Sequence, residues 1–124
     1  MSQNNNTGSD SVDAQLVELQ KSYILKLDHK LQHIIDLWLR YKAQDDPSNT
    51  LKEFHRAVHS VAGTASILNI SEVSRICTTI EENLILLISK NAHHQEIFST
   101  LEPHIDDLKA LLISKNFNPA PIKL

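Results

Sequence analysis

Glycine is nearly absent from this chain: two residues in 124, Gly8 and Gly63. So little glycine argues against a turn-rich β fold and leaves no glycine loop that could cradle a phosphate. A single cysteine, Cys77, rules out an internal disulfide and fits a reducing compartment. Its simplest role is that of a small buried apolar residue. No apolar run approaches the ~18 residues of a membrane span, and the polar N-terminus lacks the apolar region of a signal peptide. Acidic residues outnumber Lys and Arg by 15 to 12, for a formal charge of −3, so a basic face for nucleic acid is missing. Aromatics are scarce, and Trp38 and Phe54 fall at helical core spacing, which suits packing better than ligand stacking. The expectation is a soluble, cytoplasmic, monomeric domain with no nucleic-acid and no membrane partner.

What the chain does have is leucine and isoleucine at helical spacing. Residues 1–10 (MSQNNNTGSD) are polar and read as a disordered tail. From Ser11 the helical period begins: Leu16, Leu19, Tyr23, Ile24 and Leu27 lead on to Leu31, Ile34, Ile35 and Trp38. About 30 residues is long for one helix in a small domain, so two segments with a bend near Lys26–Asp28 are expected. Gln44 to Asn49 is a break with turn chemistry and a cap for the next helix, which runs from about Asn49 to Leu68. Asn69 stands where a helix ends in a left-handed residue, and Ser71 is positioned to cap a helix with Val73, Ile76, Ile80, Leu84 and Leu87 as its stripe.

Asn91 to His94 is a polar link. A last helix, about Gln95 to Ser114, uses Ile97, Leu101, Ile105, Leu108 and Leu112, with Pro103 as a kink or a fresh start. Residues 115–124, with Pro119 and Pro121, form a tail or linker. The fold class is all-α: an up-down-up-down four-helix bundle over residues 11–114, with an additional or bent N-terminal helix.

The richest segment is His55 to Asn69. Leu51, Phe54, Val58, Val61, Ala65 and Leu68 recur in steps of three and four and form one buried stripe. At about 100° per residue, His59 lies roughly 130° from the centre of that stripe and His55 roughly 90°. The neighbours of His59 at i+3, i+4 and i+7 are Ala62, Gly63 and Ser66, a clearing of small residues. A mid-helix glycine costs roughly 1 kcal/mol relative to alanine, so its place here suggests access to the ring rather than stability. An exposed histidine is most simply a solvated residue. The clearing, the glycine and Arg56 at i−3, which can meet an anion carried on the ring, favour a nucleophile on a docking face. Such a ring is expected to be exposed, with no buried partner, so that its loss moves stability by no more than about 0.5 kcal/mol.

The run Val58-His59-Ser60-Val61-Ala62-Gly63-Thr64-Ala65, followed by Leu68-Asn69 and Ile80-Glu81, resembles the histidine-containing phosphotransfer (HPt) domain. His59 falls on that family's phosphorylated histidine, Gly63 on its glycine and Ile80-Glu81 on its Leu-Glu pair. Ala62 stands where most members have lysine and Asn69 where they have a second glycine. A subgroup of the family also has alanine at the first of these positions. Tyr23 and Ile35-Asp36-Leu37-Trp38 look like the first helical segments of that subgroup, and the resemblance covers about Val17 to Leu87. It implies a carrier that passes a phosphoryl group to and from receiver-domain aspartates, and through the receiver to a histidine kinase. Such a carrier is acceptor and donor rather than a turnover enzyme. It needs no cofactor or metal of its own, since magnesium comes with the receiver. Arg56, and Arg75 on the next helix, are candidates for the charge that Ala62 cannot supply.

Two other readings stand beside it. A pseudo-HPt domain would bind a receiver or kinase without transfer. A metal-binding bundle would use His29/His33 or His55/His59, each spaced i, i+4, but each pair is only half a site. Glu81-Glu82 reads as a solvated face or an ion-pair partner, and His93, His94 and His104 as polar surface.

Overall fold

The computed structural model describes residues 8–122 and consists of four helices: α1 (Gly8–Lys42), α2 (Pro47–Ile67), α3 (Ser71–Ser89) and α4 (His94–Ser114). Each helix packs on its neighbours in the ring α1–α2–α3–α4–α1. With links of three or four residues, consecutive helices run antiparallel, which is the expected up-down-up-down bundle. Among the described residues the only β pairing is an isolated bridge between Ile70 and Pro119. Most of the tail expected over residues 1–10 lies outside the described residues; Gly8 to Asp10 are already helical.

The first helix corrects the two-segment expectation. α1 is a single run of 35 residues through Lys26–Asp28, where no proline, glycine or capping side chain interrupts the hydrogen-bond ladder. Its two halves are buried differently. From Leu27 to Tyr41 every core-facing side chain is covered, whereas Leu16, Tyr23 and Ile24 are only half-buried and Leu19 faces outward. The N-terminal half is held by the other end of the chain. Gln20 donates through Nε2 to the carbonyls of Leu68 and Ala120, at 2.7 and 2.8 Å. Residues 115–122 therefore fold back on the bundle, with Phe117 buried, Ala120 N–H donating to the Asn69 carbonyl and Lys115 paired with Asp28.

Helix ends explain how the chain turns with so little glycine. Asn69 and Asn91 both have positive φ, 57° and 54°. At each, the next residue's N–H reaches back to close a Schellman turn: Ile70 to Ala65 and Ala92 to Leu87, both at 2.9 Å. Asparagine supplies the left-handed residue that glycine usually fills. α2 begins two residues earlier than expected, with Pro47 in its first turn, where a missing N–H costs nothing. Asp46 precedes it in the left-handed region without a side-chain cap. Ser71 does not cap α3: it is the first helical residue and Ile70 holds the cap position without a side-chain bond. Pro103 lies inside α4 on its exposed side and does not start a new helix.

The core is the apolar face of all four helices, anchored at one end by aromatics. Trp38 lies 5.4 Å from Phe54, and Tyr41 packs edge-on to Phe98. Of the α2 stripe, Phe54, Val58, Val61, Ala65 and Leu68 are buried and Leu51 is half-buried. This buried face fixes which side of α2 is left to solvent.

Candidate functional site

Because Val58 and Val61 point inward, His59 points out, and its side chain is 72% exposed. Gly63, one turn further on, is bordered by open space: a Cβ built there meets nothing within 4 Å. Ser60 and Ser66 are exposed beside it. Ala62 departs from the expectation. It is buried, at 5% exposure, and belongs to the core rather than to the clearing. At i+4 from Val58 and i−3 from Ala65, it continues their buried face, so the clearing consists of Ser60, Gly63 and Ser66.

The His59 ring, expected to have no buried partner, is held by a half-buried one. Glu81 projects from α3, between the buried Ile80 and Leu84, and its carboxylate is only 17% exposed. Its Oε2 lies 2.5 Å from Nδ1 of His59 and 3.3 Å from Nε2 of His55. An ionised carboxylate only accepts, so an imidazole that bonds to it does so as the donor. With the proton on Nδ1, the neutral His59 ring keeps its lone pair on Nε2. A half-buried anion thus favours one tautomer of an exposed base, the arrangement by which outer residues tune histidines at reactive and metal sites.

Lys52, His55, Arg56, His59, Glu81 and Ile85 line one shallow hollow between α2 and α3. Lys52 and Ile85 join the site only in three dimensions. Neither carries a motif, and only the crossing of α2 with α3 brings them together. Glu81 was partly legible, as half of a family pair and as a possible ion-pair partner. Arg56 also borders a second hollow, between α1 and α2, with Lys30, His33, Glu53 and Ser60. It makes no ion pair among the described residues and remains available to an anion at His59. Arg75 is not brought to this hollow. It pairs with Glu72 on its own helix at 2.8 Å, and that guanidinium holds the Glu72 carboxyl below its ordinary range.

Beneath the site, one turn before Glu81, burial and then the Glu81 charge push the Cys77 thiol up to about 12. Cys77 is therefore a neutral packing residue rather than a second nucleophile. Among the described residues, no three His, Cys, Asp or Glu side chains are placed to hold a metal ion. No helix there is long and apolar enough to cross a membrane.

The arrangement is an exposed imidazole with one nitrogen tied down, the other facing solvent, cations to one side and cleared space on the other. It can take up and release a group at Nε2. A family model described as the Hpt domain matches residues 10–112, nearly the whole described bundle. Comparison with curated proteins and with solved structures gives no match.

Proposed function

This chain belongs to the Hpt domain family, whose members serve histidine phosphotransfer in phosphorelays, and on that premise we propose that His59 is its phosphoryl carrier. The observation that carries the reading is the Glu81–His59 hydrogen bond on a ring 72% exposed. It supplies a nucleophile in the right tautomer at a surface a partner can reach.

The reaction follows from that geometry. The lone pair of His59 Nε2 attacks the phosphorus of an aspartyl phosphate on a receiver domain, in line with the leaving oxygen. A P–N bond forms, the P–O bond breaks, and its electron pair leaves on the receiver's aspartate. The Nδ1 proton stays in place. The ring gains positive charge as the P–N bond forms, and the Glu81 carboxylate offsets it without having to reorganise. Ser60, Gly63 and Ser66 leave room for the partner's loops to close over the ring and exclude water. Arg56 neutralises phosphoryl oxygens in place of a cation at Ala62. The reverse reaction returns the group to a second aspartate. No cofactor is assigned to this chain, and magnesium enters with the receiver.

The test is transfer of radiolabel from a phosphorylated receiver to the chain. The expected product is base-stable, acid-labile label that maps to His59. The buried Ala62, with no lysine at that position, favours the second reading, a domain that binds a receiver without accepting phosphate. A receiver that binds while no label moves would establish that reading instead.

A further inference from the structure

The carboxylate that holds His59 is itself held by a second histidine, and the mechanism above makes no use of it. His55 lies one turn before His59 on the same side of α2, with its side chain 35% exposed and its ring edge-on to that of His59. Its Nε2 lies 3.3 Å from the same oxygen, Oε2 of Glu81. We infer that His55 is a positioning residue, whose N–H keeps the Glu81 carboxylate on Nδ1 of His59 and so keeps the nucleophilic nitrogen of His59 bare. This rests on the carrier reading of His59 for its consequence, but the geometry stands without it.

Three features carry the inference. First, the carboxylate has competitors. Lys52 and Arg56 line the same hollow, and neither forms an ion pair among the described residues. A carboxylate released from His55 can rotate toward either cation and leave His59. Secondly, His55 and His59 are spaced i, i+4 on one helix, so their rings keep a fixed separation. Two donors from α2 therefore locate the Glu81 oxygen relative to α2 itself. Thirdly, Glu81 is mostly out of water, so protein donors replace the solvent it has lost. His55 is the more covered of the two rings that supply them. The titratable groups facing this carboxylate are Lys52, His55, Arg56 and His59 from α2, and Cys77 one turn before it on α3.

The variants that test this are His55→Leu, which removes the donor, and His55→Gln, which keeps an N–H in reach. Two readouts are needed: the tautomer of His59 from its ring ¹⁵N shifts, and the rate at which potassium phosphoramidate labels the full chain. His55→Leu is expected to lower the Nδ1–H fraction of His59 and to slow labelling by about 3- to 10-fold, the scale of one hydrogen bond. His55→Gln is expected to stay within about twofold of the parent on the same scale. His55→Leu matching the parent in both readouts would overturn the inference, as would His55→Gln falling as far as His55→Leu. The parent protein alone is also decisive: a His55 ring found with its proton on Nδ1 and a bare Nε2 cannot donate to Glu81. If the parent takes no label from phosphoramidate or from a phosphorylated receiver, the carrier reading fails, and the tautomer of His59 in the two variants still decides the role of His55.

Discussion

The chain carries the same four-residue histidine spacing twice, on adjacent helices, with opposite results. His29 and His33 share a face of α1 and both are exposed, yet neither ring meets a carboxylate among the described residues. His33 borders a hollow with Lys30, Glu53 and Arg56, but its ring bonds to none of them. His55 and His59 share a face of α2, and there α3 delivers Glu81 between them. Spacing puts two imidazoles side by side in both places. Only the second pair is hydrogen-bonded to a carboxylate among the described residues, and that carboxylate favours one tautomer of the exposed ring. The lesson is that i, i+4 histidines are raw material, and the neighbouring helix decides whether they become a site.

The strongest attempt to break this comparison is His59→Gln. Glutamine has no nucleophilic nitrogen, so phosphoryl acceptance is expected to fall to background, measured as acid-labile label. Glu81 loses its closest partner in this variant, so stability is expected to drop by about 1 kcal/mol, more than for an unpaired surface histidine. Retention of label in His59→Gln, with loss in His55→Gln, would place the chemistry on the wrong ring.

Next in size is Phe54→Ala, on the opposite face of α2. Phe54 is fully buried against Trp38, and its truncation is expected to cost about 3–5 kcal/mol in denaturant unfolding. A loss below about 1 kcal/mol would mean that this face does not anchor the helix carrying the site.

Glu81→Gln sharpens the comparison by keeping the shape and removing the charge. The α2 pair then resembles the α1 pair, and labelling by phosphoramidate is expected to slow by about 10- to 100-fold, the worth of a charged hydrogen bond. An unchanged rate would show that the carboxylate does not assist His59. Arg56→Ala has a smaller expected effect, slowing transfer from a phosphorylated receiver by about threefold, on the scale of an exposed charge contact, with the thermal midpoint retained. Equal transfer rates and phosphohistidine lifetimes would remove Arg56 from the mechanism. The smallest effect is assigned to the double variant His29→Gln/His33→Gln: stability within about 0.5 kcal/mol and parental labelling. Any substantial loss of label there would erase the distinction between the two pairs.

The sequence by itself determined the helical class, the order of the helices and the inward faces of α2, α3 and α4, because helical period is a local property of which residues are apolar. It determined that Asn69 turns left-handed, through the intrinsic tolerance of asparagine, and that His59 lies away from the stripe. It also carried the family resemblance, since the motif combines a histidine, a glycine and the apolar-acidic pair Ile80-Glu81 at set spacings. Tertiary structure decided what depends on two elements meeting. Ala62 is buried because α2 is covered over more of its circumference than a single stripe suggests. The returning tail binds Gln20 and covers a half of α1 that lacks full burial of its own. Arg75 is committed to Glu72 rather than to the site. Glu81 was visible as a charge on a helix, but its contact with two histidines 22 and 26 residues away is set by the angle and register at which α2 and α3 cross. That register is a property of side-chain packing between helices, which a one-dimensional pattern does not encode.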